Sequence, residues 1–387
     1  MITKIVLENF KSFRNRTTID VNATNYQILN DTNVYNNVLK GLLFVGSNAS
    51  GKTNAITSIL FLLELLFSNK EINIQDYFCF FPCSMEMFLE FTFKIDNDDI
   101  VYGFIYDIDG NVSKEYLELN GEIKFNRIKD GAESKITDRK YYGNLDVDKK
   151  TLFIRNIYFN TKFKGYPSLE KLFDYLINSV HINSVMQKTV VFNSKNNNLN
   201  ILNYLEGNGL KKVNDFFDFF GFNQEVCFET EHQISKGIYA VHKEKEIFLK
   251  RNNIDIWIPF RYESLGNQTL LNMLPAILHA TENDCILIID EFSSALHNEL
   301  EELMIRYFMK NSKGSQIFIV SHSTNLLKTT LLRPDQIYSV NFEDENGSYL
   351  KRFSSEGPRE SQNLERMYLN GRFDGLPRYK NTINQVE

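Results

Sequence analysis

One stretch constrains this chain more than any other: Gly46-Ser47-Asn48-Ala49-Ser50-Gly51-Lys52-Thr53, which spells GxxxxGK[ST]. An apolar run, Gly41-Leu42-Leu43-Phe44-Val45, precedes it and suits a buried strand. Asn54 to Phe67 follows and reads as an apolar helix. In a strand–loop–helix order the glycines let the backbone N–H groups of the loop turn inward around phosphate oxygens. The helix that Asn54 enters then points its positive dipole end at the same anion. Lys52 can reach the β- and γ-phosphates, and the Thr53 hydroxyl can ligate Mg²⁺. The expected ligands are therefore a nucleoside triphosphate, ATP, and Mg²⁺.

A second set of motifs lies far downstream. Cys285-Ile286-Leu287-Ile288-Ile289-Asp290-Glu291 is an apolar strand that ends in two carboxylates. Asp290 is expected to hold Mg²⁺ and Glu291 to polarise the attacking water. Ile317-Phe318-Ile319-Val320-Ser321-His322 is a further apolar strand, with His322 placed to sense a γ-phosphate. Between them runs Ser293-Ser294-Ala295-Leu296-His297. Upstream, Glu263-Ser264-Leu265-Gly266-Asn267-Gln268 opens the apolar helix Thr269 to Ala280. Ser264 suits its N-cap, and a Ser and Gly at a helix N-terminus favour an anion. The expected catalytic residues are Glu291, His322 and Lys52.

A net charge of −6 and a pI of about 5.7 provide no global basic field for nucleic acid. The 32 Phe and 19 Tyr are expected mostly in core and interface packing. Four cysteines, Cys79, Cys83, Cys227 and Cys285, are too sparse for a disulfide framework and fit a reducing cytoplasm. Cys79-x-x-x-Cys83 has no second pair with which to bind zinc. No signal peptide opens the chain, and the apolar run Ile56 to Phe67, which carries Glu64, is too short to span a bilayer. No membrane association is expected.

Ile2 to Val21 alternates as strands do, with a turn near Phe13-Arg14-Asn15-Arg16, and Asn22 to Asn37 reads as loop. Met87 to Arg127 reads as an antiparallel β-lobe, with turns at Asn97-Asp98-Asp99 and Asp107 to Asn111. Those acidic turns lack the spacing and distal Glu of a calcium loop. Ser168 to Ile182 and Asn198 to Phe220 have helical apolar spacing and are expected to form a helical insertion. Cys227 to Trp257 returns to strands, with a charged hairpin at His242-Lys243-Glu244-Lys245-Glu246. The expected organisation is an N-terminal part of an ATPase head over 1–70, a β-lobe over 71–160, a helical insertion over 161–225 and a C-terminal part of the head over 226–387.

In their order these motifs resemble the ABC-type ATPase head of the SMC, RecF and OLD group, an α/β P-loop fold. Ile2-Thr3-Lys4-Ile5-Val6-Leu7-Glu8-Asn9-Phe10-Lys11-Ser12-Phe13 is similar to that group's first strands, which lie beside the nucleotide. The resemblance implies a homodimer or higher oligomer closed through its ATP sites. Ser264 and Gly266 of one copy would cap the γ-phosphate held by Gly46, Asn48, Gly51, Lys52 and Thr53 of the other. The signature departs from LSGGQ, and no Q-loop glutamine is placed.

Arg333-Pro334-Asp335-Gln336-Ile337-Tyr338 and Asn363 to Pro377 resemble the tail of the AAA-type abortive-infection ATPases of anti-phage systems, of the RloA/AbiLi, AriA and PtuA kind. Glycine usually stands there where this chain has Asp374. About sixty-five residues follow His322, too few for the Toprim nuclease of OLD proteins, and no His/Cys cluster of HNH type is present. The resemblance thus implies a cytoplasmic ATPase acting on a separate effector encoded nearby, a nuclease or toxin. A phage protein or nucleic acid would serve as trigger. The alternative is a RecF/SMC-like ATPase of DNA repair or chromosome maintenance that engages DNA itself.

Overall fold

The computed structural model describes residues 1–81, 84–136, 140–142, 147–160, 163, 165–193, 199–229, 245–251, 254, 256–294 and 296–376. Numbered along the chain, its principal elements begin with β1 (Ile2–Glu8), β2 (Thr17–Asp20), β3 (Gly41–Val45) and α1 (Lys52–Phe67). The strands β4 (Glu86–Ile95), β5 (Asp98–Asp107), β6 (Val112–Leu119), β7 (Glu122–Ile128), β8 (Gly131–Ser134) and β9 (Lys140–Tyr142) follow. Next are α2 (Phe153–Asn160), α3 (Pro167–Ile177), β10 (Val180–Asn183), β11 (Lys188–Val191) and α4 (Leu210–Phe219). Then come β12 (Gln224–Glu229), β13 (Glu246–Arg251), β14 (Trp257–Pro259), α5 (Leu265–Glu282), β15 (Ile286–Asp290) and α6 (Asn298–Asn311). The last are β16 (Gln316–Val320), β17 (Ile337–Glu343), β18 (Gly347–Arg352) and α7 (Leu364–Leu369).

The central sheet has seven strands in the order β11-β10-β15-β16-β3-β17-β18. The inner five are parallel, and the two edge strands are antiparallel to their neighbours. Parallel strands need cover on both faces, which explains why β3, β15 and β16 are buried along their whole length. Alternate residues serve different cores. Leu42, Phe44, Ile288, Phe318 and Val340 face α1 and the β-lobe. Leu43, Val45, Ile289, Ile319 and Ile337 face α5 and α6.

The second sheet is antiparallel and has eight strands, β9-β8-β7-β6-β5-β4-β1-β2. Strict alternation in Glu86–Ile95, from Met87 to Ile95, puts every second side chain into the core. The turn before β6 falls within Asp107 to Asn111 as expected, whereas the hairpin before β5 turns at Asp96-Asn97, with Asp98 and Asp99 already in the strand. β1 and β2 belong to this sheet, with β1 paired to β4. Gln316 bolts the two sheets together. Its Nε2 donates to the carbonyls of Ile2 and Leu39, both at 2.9 Å, and its Oε1 accepts from the Ile2 N–H at 2.6 Å.

The segment expected to be a helical insertion needs correction. The helix from Ser168 stops at Ile177, and Val180–Asn183 is a strand inside the central sheet beside β15. Asn200 N-caps a single turn, Ile201–Tyr204, which passes through a wide turn over Leu205–Gly209 into α4. The strands expected over Cys227 to Trp257 form a separate three-stranded sheet, β12-β13-β14. Cys83, His242, Lys243, Glu244, Ala295 and Pro377 lie outside the described residues. No helix among the described residues is long and apolar enough to cross a membrane.

Candidate functional site

The phosphate loop connects β3 to α1 at the carboxyl ends of the parallel strands. A Cβ on Gly46 would lie 2.4 Å from the Val340 carbonyl oxygen of β17. Gly51 has φ +102°, and its Cβ would lie 2.3 Å from Ser348 Oγ and 2.5 Å from Ser12 Oγ. Neither position admits a side chain, so both motif glycines are fixed by the packing of β17 and β18 behind the loop. Asn48, Ala49 and Thr53 are exposed on the open side, while Ser50 is buried.

Lys52 is buried, and its ammonium donates to the carbonyls of Gly46 at 3.1 Å and Ser47 at 2.8 Å. Burial pulls its pKa down, against the opposing pull of Glu291 and Asp290. Thr53 Oγ1 donates to Asp290 Oδ1 at 3.1 Å, which joins the two halves of the predicted metal site. Burial pushes the Asp290 carboxyl above its ordinary range, with the Thr53 hydroxyl working the other way. A hydroxyl and a carboxylate in contact are a hard oxygen donor set that fits Mg²⁺.

Glu291, just past the end of β15, has φ +56°. A non-glycine residue in the left-handed region is strained by about 1 kcal/mol or more and needs strong local support. His322 follows β16, and its Nε2 lies 3.5 Å from Glu291 Oε1. Asn48, Ala49, Gly51, Lys52, Thr53, Asn54, Glu291 and His322 line one cavity of about 490 Å³. The structure thus gathers the phosphate loop, the strand-end carboxylates and the histidine from three neighbouring strands.

Ser264 and Gly266 are not part of that cavity wall. Ser264 N-caps α5, its Oγ accepting from the Asn267 N–H at 3.3 Å, and the helix start is exposed. Beneath it, Glu263 accepts both bonds of a forked contact from Arg251 of β13, at 2.9 and 2.8 Å. The helix start is therefore tied to the three-stranded sheet. His297 caps α6 through Nδ1 and the Glu299 N–H.

Three residues escaped the sequence reading. Ser348 Oγ donates to the Ser50 carbonyl and contacts Ser12 Oγ, both at 2.7 Å, and Asn54 Nδ2 donates to Ser12 Oγ at 2.8 Å. The two serines brace the loop from opposite ends of the chain, and no local pattern relates them. The third is Asn183, which sits opposite Asp290 in the β10–β15 register. Its strand was hidden in a helical pattern.

The family described as "AAA domain, putative AbiEii toxin, Type IV TA system" matches residues 42–328. The SMC head bound to the C-winged helix domain of ScpA is similar in fold, with a TM-score of 0.50 at 17% identity over 90% of this chain and 97% of that one. The SMC head domain from Thermotoga maritima aligns at a TM-score of 0.49 and 14% identity, over 90% and 97%. The recombination mediator RecF aligns at 0.41 and 14%, over 90% and 98%. No curated protein matches in sequence. With three quarters of its length matched, the chain belongs to this AAA family, on a mixed α/β fold of SMC-head type.

Proposed function

We propose that this chain is an ATPase whose two copies close on two ATP molecules, and that its nucleotide state governs a partner effector in anti-phage defence. The observation that carries the enzymatic part is the single cavity in which Lys52, Thr53, Glu291 and His322 converge. Lys52 would neutralise the β- and γ-phosphates, and Glu291 would take the proton of the attacking water. His322, 3.5 Å from that carboxylate, would hold the γ-phosphate side of the same water. Thr53 and Asp290 would hold Mg²⁺, which when bound spreads the developing phosphate charge.

Among the described residues, the cavity is lined by the phosphate loop, the start of α1, Glu291 and His322, with no second helix N-terminus. The exposed N-terminus of α5, with Ser264 and Gly266, has the chemistry to cap the γ-phosphate and lies outside the cavity, so a second copy would supply it. The family's description, a putative toxin of a type IV toxin–antitoxin system, supports a place in a system of that kind. A DNA-engaging role is the second reading, with which the SMC-head fold is compatible.

Phosphate release by wild type, Lys52→Ala and Glu291→Gln tests the enzymatic claim. Lys52→Ala should lose nucleotide binding. Phage plating on cells carrying the gene with its native neighbours tests the defence claim. Protection that needs Glu291 supports it; no protection with either allele, together with ATP-stimulated, salt-sensitive DNA binding, would move the assignment to the second reading.

A further inference from the structure

The proposed reaction uses no residue of the C-terminal tail, yet the tail is bonded to both sides of the nucleotide cavity. Asn363 N-caps α7, its Oδ1 accepting from the Arg366 N–H at 2.8 Å. Leu364, Tyr368 and Phe373 are buried in the core that faces α5 and α6, where Phe373 stacks on Phe353 with ring centroids 3.8 Å apart. The far end of the tail is fixed to β17. Ser339 Oγ donates to the Phe373 carbonyl, the Gly375 N–H donates to Asn341 Oδ1, and Tyr368 Oη donates to the Gly375 carbonyl at 3.1 Å. Ser339 pairs with Val45, the last residue before the phosphate loop. Val340, between the two bonded side chains, is the residue whose carbonyl closes on Gly46.

The near end of the tail reaches the histidine side. Thr324, two residues past His322, donates through Oγ1 to Glu365 Oε1 of α7 at 2.6 Å. A hydroxyl-to-carboxylate bond is charge-assisted and among the stronger side-chain contacts. On the other side of the histidine, Ser321 Oγ lies 2.5 Å from Ser293 Oγ. His322 itself is exposed and faces Glu291 at 3.5 Å, so its placement follows the backbone that these two bonds flank. We propose that the tail is a strap across the back of the site, and that Glu365 is its positioning residue, holding the His322 loop in place relative to the phosphate loop. Neither Thr324 nor Glu365 lines the cavity, and Glu365 acts through the loop.

The catalytic consequence rests on the ATPase reading; the strap itself does not, and two readouts separate them. The first is turnover against nucleotide affinity. Glu365→Ala should lower kcat by roughly tenfold and leave the nucleotide Kd unchanged, a split that marks lost positioning rather than lost binding. Glu365→Gln keeps an acceptor for Thr324 and should stay within about threefold of wild type. In a His322→Ala background, Glu365→Ala should cost nothing further, because the side chain it positions is already gone. A loss of affinity, or a loss of rate that multiplies with that of His322→Ala, overturns the positioning role. Thr324→Val removes the donor and keeps the shape, and repeats the test from the other partner if Glu365→Ala fails to fold. The second readout is amide hydrogen exchange of the nucleotide-free protein. Peptides covering 321–327 should exchange faster in Glu365→Ala and at the wild-type rate in Glu365→Gln. Wild-type exchange in Glu365→Ala overturns the strap, whatever the turnover. Faster exchange there, while wild type itself releases no phosphate, upholds the strap and sinks the ATPase reading instead.

Discussion

Glu291 combines a proposed catalytic role with a backbone that its side chain does not favour, φ +56° directly after a fully buried strand. Replacing it with Gln keeps the size and backbone demand but removes the base. Nucleotide should still bind, and turnover should fall by on the order of 10²–10⁴, read as phosphate release against a fluorescent-nucleotide titration. Normal turnover would remove Glu291 from the role. Asp290 invites a different experiment, because burial holds its carboxyl above the ordinary range. A carboxyl raised in the folded state binds its proton more tightly there than in the unfolded chain. Its contribution therefore favours folding at low pH and is lost as pH rises through the window just above the usual aspartate value. At neutral pH the charged form is a cost, so Asp290→Asn should raise the Tm of the nucleotide-free protein by about a degree or more. The same variant should lose the Mg²⁺-dependent gain in nucleotide affinity; a retained gain would place the metal elsewhere. Gly51→Ala is the steric counterpart. Its methyl meets two serine hydroxyls at under 3 Å on a backbone of φ +102°, so nucleotide binding should collapse.

At the scale of elements, local pattern explains what was legible and what was not. The phosphate loop announces itself because its chemistry requires adjacent residues, and β15 and β16, apolar runs ending in Asp-Glu and His, become legible through their order and spacing relative to it. β10 did not, because Leu176, Ile177 and Val180 fit a continuing helical stripe as well as a strand. Only pairing with β15, more than a hundred residues away, decides the matter. The merging of β1 into the eight-stranded sheet is likewise a nonlocal pairing, and the brace of Ser12 and Ser348 joins residues 336 positions apart. One local rule reads well in retrospect: Asp374 has φ +58°, which accounts for glycine being usual at that place in the resembling tails. The forked Arg251–Glu263 contact gives an element-scale prediction. It couples β13 to the start of α5, and Asn267 Nδ2 adds a bond to the same carboxylate at 2.9 Å. Arg251→Ala leaves Glu263, only 4% exposed at its side chain, without its main partner. Because that loss falls on the helix start and not on the phosphate loop, kcat should drop while nucleotide affinity measured on dilute single heads holds. An equal loss in affinity would show that α5 and the phosphate loop are one unit.

For the whole molecule the question is whether one copy is an enzyme. Its phosphate cavity is walled by its own loop, Glu291 and His322, whereas Ser264 and Gly266 cap an exposed helix outside that wall. If the helix start completes the cavity of a second copy, each composite site needs Lys52 from one chain and Ser264 from the other. Two crippled variants then complement. Lys52→Ala binds no nucleotide, and Ser264→Arg places a bulky cation where a γ-phosphate cap should sit, so each alone should be inactive. Mixed in equal amounts, half the pairs formed at random contain one chain of each kind, and each such pair has one intact composite site of its two. Roughly a quarter of the wild-type sites should return, and phosphate release should recover to about that level. Activity of Ser264→Arg alone would show that the helix start is not part of the site. Inactivity of the mixture, with both variants folded and Ser264→Arg still binding nucleotide, would show that the two residues are not shared across a pair. Recovery would establish that the arrangement on a single chain is half of a machine, and that its switch is the closing and opening of two such halves around ATP.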